Sequence, residues 1–167
     1  VRSTAPGDEP GFPIRAASAP TRRNVPVEEG VLRHYLCDSY SARRLGALPT
    51  GSARRGLAGD PSVGSMDLCF APGRTPPEQI VGEVARGLFV TDLMGFGVDV
   101  VSGDYSQGAF GYWIEKGRLA HPVHEVTIAG SLRQMLLDVD AVGNDLVFRG
   151  AAASPTIRVR RMTVSGS

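Results

Sequence analysis

Residues 98–130 read VDVVSGDYSQGAFGYWIEKGRLAHPVHEVTIAG. An apolar strand, Val98 to Val101, runs into the turn Gly103-Asp104-Tyr105-Ser106. An aromatic strand follows from Ala109 to Ile114. The two-residue period of a strand puts Phe110, Tyr112 and Ile114 on one face and Gly111 and Trp113 on the other. Glu115-Lys116-Gly117 makes a tight turn, and a third strand, Val123 to Ile128, returns. Asp104 and Ser106 are of the type that bonds local backbone, and are expected to hold the turn. The stretch contains no obvious catalytic set.

The hairpin device recurs upstream. Val27-Glu28-Glu29-Gly30-Val31-Leu32-Arg33-His34 and Ile114-Glu115-Lys116-Gly117-Arg118-Leu119-Ala120-His121 share the pattern V/I-E-x-G-x-L-x-H. Two copies are too few for a solenoid and point to an antiparallel sheet built from similar hairpins. Gly30 suits the left-handed position of a three-residue hairpin loop within residues 24–37.

Three short helices are expected. The first runs from Asp38 or Ser39, as N-cap, to a stop at Gly46. For the second, Thr75-Pro76-Pro77-Glu78 has the form of a capping box with Pro76 at the first helical position. Ile80, Val81 and Val84 then share a face, and Gly87 ends the helix. The third, Ser131 to Leu137, turns Leu132, Met135 and Leu136 inward. Further strands are read at Ser65–Ala71, Leu88–Met94, Leu146–Phe148 and Thr156–Val164. In the last, the alternation slips by one residue near Arg160-Arg161, which suggests a bulge. The sum is about eight strands. The class is α+β, a mostly antiparallel, curved or barrel-like β-sheet with about three short helices. Residues 1–19 read as an extended or disordered lead-in, because Pro6, Pro10 and Pro13 bias the chain away from helix. Residues 20–167 read as one domain.

The chain has 167 residues and a formal net charge of +1. Nothing in that balance argues for nucleic acid or a membrane surface, and the arginine pairs at Arg22-Arg23, Arg43-Arg44 and Arg54-Arg55 read as solvated faces. Cys37 and Cys69 sit in apolar runs and read as buried free thiols in a reducing, cytoplasmic setting. His121 and His124 flank Pro122 at a spacing that puts them on opposite strand faces, so they and the isolated His34 read as sheet or loop residues rather than metal ligands. Asp104, Ser106 and Glu115 have no spacing that makes them an acid/nucleophile set. Gly95-Phe96-Gly97 is half of a nucleotide fingerprint and lacks the third glycine. The loop Thr50-Gly51-Ser52-Ala53-Arg54-Arg55-Gly56 reads as a plain flexible loop or as a contact for carboxylate or phosphate. In the second case Thr50, Arg54 and Arg55 would supply it through backbone N–H groups and two guanidinium groups.

The run Gly103 to Gly117 closely resembles the C-terminal domain of the TldD/PmbA family. So do Pro122 to Gly130 and Val142-Gly143-Asn144-Asp145-Leu146. Pro20 to Asn24, the Ser39-to-Leu45 unit and Pro49-Thr50-Gly51 also match, in the family's order, so the resemblance covers about residues 20–166. It implies a bacterial or archaeal cytoplasmic protein of a family known as modulators of DNA gyrase and regarded as zinc metalloproteases that degrade or mature peptides. TldD-like subunits carry H-E-x-x-x-H upstream of this domain and a Cys near the C-terminus as third metal ligand. Neither motif occurs in this sequence, and Asn144 to Pro155 runs through without the Cys-bearing insertion. That resembles the PmbA (TldE) branch, the metal-free partner. The resemblance therefore implies no cofactor in this chain and zinc in a TldD-like partner subunit, with a hetero-oligomer or self-association and unfolded peptide as substrate. No family catalytic residue carries over. Residues 11–20 depart from the family's acidic hairpin, and its N-terminal half is missing from this sequence. The alternative implied by the older name is a binding protein acting on gyrase or gyrase-directed toxins.

Overall fold

The computed structural model describes residues 2–4, 23–55, 60–65, 67–95, 97–149 and 152–166. Residues 5–19 of the expected lead-in, Gly56 of the Thr50 loop and Phe96 lie outside the described residues. In chain order the elements are β1 (Arg2–Thr4), β2 (Val27–Glu28), β3 (Val31–Leu32), α1 (Ser39–Leu45), β4 (Ala53–Arg54), β5 (Ser62–Val63), β6 (Asp67–Cys69), α2 (Pro77–Gly82), β7 (Arg86–Met94), β8 (Asp104–Glu115), β9 (Arg118–Ser131), α3 (Leu132–Leu137), β10 (Val139–Val142), β11 (Val147–Arg149), β12 (Ala152–Ser154), β13 (Ile157–Val159) and β14 (Thr163–Ser165). The α+β class and the mostly antiparallel pairing stand. Many of the strands are two or three residues long, which is why the sequence shows only about eight. The sheets are open rather than closed into a barrel. The chain divides into two compact units, Val1–Ala71 with Leu146–Ser154, and Pro72–Asp145 with Pro155–Ser167.

The first unit has a four-stranded sheet in the order β1-β6-β12-β11 and two small hairpins, β2-β3 and β4-β5. β6 and β12 run parallel, with Ala153 beside Cys69. Its buried apolar residues are small: Cys37, Ala42, Ala53, Cys69 and Ala153. Both thiols are buried and outside any disulfide, as expected. Helix α1 is capped as its sequence indicates. Asp38 Oδ1 accepts from the Ser41 amide at 2.7 Å, Ser41 Oγ accepts from the Asp38 amide at 3.0 Å, and Gly46 closes the helix in the left-handed region at φ 63°. The Ser41 hydroxyl, and then its amide, hold the Asp38 carboxyl below the usual carboxylate range.

The second unit is built on the sheet β14-β9-β8-β7. Ala109, Val126 and Ile128 form its core, packed against Leu88, Tyr105, Val123 and Met162. The burial of Tyr105 pushes its phenol upward. β8 pairs with Val90 at Gly111 and with Asp92 at Phe110, so Thr91 is an extra residue on β7. On the other side Ala109 pairs with Val126 and Gly111 with Val123, so β9 also carries one residue too many at that level. Glu125 takes φ 55° there. Bulges on both neighbours of Phe110 curve the sheet at one level. Gly111 is required beside them, because a Cβ would collide with the Phe89 carbonyl.

Several expectations are corrected. The two hairpin turns are two-residue turns, not three. Glu28 faces Val31 and Glu115 faces Arg118, while Glu29-Gly30 have φ 51° and 76° and Lys116-Gly117 have φ 50° and 75°. The twist of such doubly left-handed turns matches that of paired strands, and the shared sequence pattern does encode a shared turn. Thr75 forms no capping box. Its backbone is drawn into a bridge with Gly143, and α2 starts one residue later than expected, with Pro76 as N-cap and Pro77 first. That helix ends at Gly82, and Gly87 lies inside β7. Val98 makes a single bridge to Tyr105, not a strand. The turn that follows is held by Asp99, whose Oδ1 accepts from the Val101 and Ser102 amides at 2.7 and 3.0 Å, and by Asp104, whose Oδ2 accepts from the Ser102 hydroxyl at 2.8 Å, while Ser106 is a strand residue that takes no part in it. Leu136 is exposed rather than inward. The slip near Arg160 is not a bulge but a break between β13, which pairs with β10, and β14, which pairs with β9.

Candidate functional site

The loop singled out from the sequence begins in the interior of the first unit. Thr50 and Ser52 are buried. The Thr50 hydroxyl accepts from the Cys37 amide at 2.7 Å, donates to the Cys37 carbonyl at 3.0 Å and lies 2.8 Å from Ser52 Oγ. Asn24 Nδ2 donates to the Thr50 carbonyl at 3.0 Å. A buried hydroxyl with its bonds made inside is a brace, so Thr50 positions the loop and does not offer its side chain outward. β4 then pairs with β5. Arg54 is exposed and its Nη1 donates to the Ser65 carbonyl at 3.0 Å. Arg55 is exposed at the end of the described stretch. Among the described residues, no hydrogen bond or ion pair holds the Arg55 side chain.

Thr50 also lines a cleft of about 560 Å³, together with His34, Tyr35, Cys37, Leu45 and Leu48 among others. Sequence reasoning left this cleft unnoticed, because its wall is assembled from residues on either side of α1. His34 Nε2 is buried without a hydrogen-bond partner among the described residues. Val31, Leu32, Tyr35, Tyr40, Leu45 and Leu48 in this unit are each more than half exposed. A soluble surface seldom leaves so many large apolar side chains uncovered.

The second unit supplies braces. Arg158 Nε lies 2.7 Å from Asp140 Oδ1 and its Nη1 lies 2.9 Å from Glu83 Oε2. Asp145 accepts from the Thr156 amide at 3.0 Å and from its hydroxyl at 2.7 Å. Burial pushes the Asp145 carboxyl up, but these bonds outweigh it and the group ends below its ordinary value. His121 and His124 are both exposed on β9, and His124 makes an edge contact with Phe110 at 6.2 Å. No three His, Cys, Asp or Glu side chains converge among the described residues in a way that could hold a metal ion. No helix among the described residues is long and apolar enough to cross a membrane.

Residues 12–166 match the PmbA/TldA metallopeptidase C-terminal domain. The chain belongs to this family. It is 37% identical over 154 residues to the metalloprotease PmbA of Escherichia coli O157:H7, covering 92% of this chain and 32% of that protein. It is 28% identical to a metalloprotease of Methanothermobacter thermautotrophicus, over 92% of this chain and 36% of the other. Among solved structures, a Thermotoga maritima protein whose name ties it to modulation of a DNA gyrase superposes with a TM-score of 0.85 at 31% identity, over 92% of this chain and 35% of that one. TldE from Thermococcus kodakarensis gives 0.84 at 25% identity, over 92% and 36%. The PmbA/TldA-type sequence thus spans about a third of the length of the curated relatives it matches.

Proposed function

We propose that this PmbA/TldA-type domain serves as the PmbA/TldE-like partner in a zinc-dependent peptidase system of the cytoplasm. The bond-breaking ion resides in a TldD-like subunit, and this chain helps enclose and grip unfolded peptide. The observation that carries the reading is the apolar surface of the first unit. Eight large side chains more than half exposed, Val147 and Phe148 included, fit a surface that a second polypeptide covers, as interface cores do. The 37% identity to PmbA supports the branch, and two buried cysteines outside any disulfide suit a reducing compartment. The Thr50–Arg55 segment is the proposed substrate contact on this chain, with Thr50 setting the loop and Arg55 meeting a peptide carboxylate. Reconstitution tests the reading. The chain mixed with a TldD-like zinc subunit is expected to support cleavage of an unfolded peptide that neither supports alone. Zinc-dependent cleavage by this chain alone would overturn it.

The gyrase-related name of the Thermotoga protein favours a second reading, a binding protein that acts on gyrase or gyrase-directed toxins. Recovery of gyrase on the immobilised chain, with no TldD-like subunit present, would favour it over the first.

A further inference from the structure

The cleft of the first unit has an apolar wall. Tyr35, Leu45 and Leu48 line it, each more than half exposed. They stay in water until something enters between them, and covering them is favourable. A volume of about 560 Å³ is that of a small-molecule site.

Arg33 gives the cleft its charge. It lines the cleft, and no carboxylate lines it among the described residues. Arg33 Nε lies 3.4 Å from Glu28 Oε2, with both side chains at least half exposed. So loose and exposed a pair contributes little, and among the described residues it engages Nε alone. The terminal nitrogens are left to hold a second carboxylate, which a guanidinium grips with two parallel bonds.

His34 gives the cleft its polar mark. Asn24 and Thr50, which also line it, are already bonded to the fold. His34 Nε2 is buried with no partner among the described residues, although the residue as a whole is half-buried and lines the cleft. A ring nitrogen held in this way is costly until a donor or acceptor meets it. A turn of the imidazole about its Cβ–Cγ bond carries that nitrogen toward a bound group. A phenol suits either tautomer, because its hydroxyl both donates and accepts.

We propose that the cleft binds the C-terminal tyrosine of a peptide, with its carboxylate on Arg33, its ring against Tyr35 and Leu48, and its hydroxyl toward His34. The choice of a peptide end as ligand rests on the peptide-handling reading above. It gives that reading a preference for one kind of chain end.

The test titrates the isotope-labelled full chain with N-acetyl-tyrosine, N-acetyl-tyrosinamide and N-acetyl-phenylalanine. The first is expected to shift the signals of His34, Tyr35, Cys37 and Leu48. The amide lacks the carboxylate and is expected to bind roughly tenfold more weakly, the equivalent of about 1.4 kcal/mol. The phenylalanine lacks the hydroxyl and should bind about threefold more weakly. Arg33→Gln, a change at an exposed residue, should bring the tyrosine and its amide to one affinity. His34→Phe should do the same for tyrosine and phenylalanine. Shifts confined to other segments, equal affinity of the wild type for tyrosine and its amide, or no shift at about 10 mM ligand would overturn the proposal. So would an undiminished preference for the carboxylate in Arg33→Gln. The titration needs no zinc subunit. Absent binding beside successful reconstituted cleavage sinks the cleft alone, and binding beside failed reconstitution sinks only the peptidase reading.

Discussion

Arg158 and Asp140 face each other across the β10–β13 pair at 2.7 Å, each side chain about one quarter exposed. The same guanidinium reaches Glu83 Oε2 and the Ile80 carbonyl, so one side chain ties both strands to α2. The Arg158 side chain bond, ahead of burial and of the wider charge of Arg158 and Arg160, holds the Asp140 carboxyl below its usual value.

Asp140→Asn is therefore expected to destabilise the chain by about 1 kcal/mol, a charge-assisted bond discounted for its partial exposure. The pH dependence has a definite sign. A carboxyl depressed in the folded state contributes above its unfolded value of about 3.9, and that contribution disappears as pH falls through the folded value. Urea melts at neutral pH and at decreasing pH below about 4 should show the gap between wild type and Asp140→Asn closing.

Thr50→Val keeps the shape and removes the hydroxyl. The Cys37 amide then loses its partner in a buried site, which costs about 2–3 kcal/mol. Thr50→Ser keeps the bonds and should retain most of the stability. Equal denaturation midpoints for Thr50→Val and wild type would contradict the bracing role.

Gly30 and Gly117 occupy matching turns at φ 76° and 75°, yet their surroundings differ. A Cβ on Gly30 meets nothing within 4 Å, whereas one on Gly117 would collide with the Gly82 carbonyl. Gly30→Ala is expected to cost about 1 kcal/mol from backbone conformation alone. Gly117→Ala should cost roughly 2 kcal/mol more from the collision. Comparing the two in denaturant isolates the steric part.

Arg55→Gln should leave the melting curve unchanged, because the residue is exposed and surface changes usually fall within about 0.5 kcal/mol. In the reconstituted peptidase the same change is expected to raise KM for peptides with a free carboxylate, with kcat preserved. An unchanged KM would remove Arg55 from the proposed contact.

What the sequence revealed was local. Helix α1 was readable because Asp38, Ser41 and Gly46 settle its ends among themselves. The two turns were readable because Gly30 and Gly117 each mark a left-handed position. What it concealed depends on distant partners. Thr75 looks like a cap until Gly143 claims its backbone. Thr50 looks like an exposed loop hydroxyl until Cys37, 13 residues away, and Asn24, 26 away, enclose it. β11 and β12 gave no sign that they join β6 in a sheet of their own. Arg54 and Arg55, two neighbours of one residue type, separate only once β5 is seen to pair with β4 and Ser65 to accept from Arg54.

The two extra residues flanking Phe110 act as a matched crease. Deleting Thr91 alone, or one of His124 and Glu125 alone, would leave a neighbouring strand mis-phased against β8 on one side. Deleting one from each side together would iron out the crease at Phe110 and leave only the further extra residue that β9 carries between Leu119 and Pro122. The bend at Phe110 is thus written as a pair of insertions, and lineages that change it are expected to lose or gain them in concert.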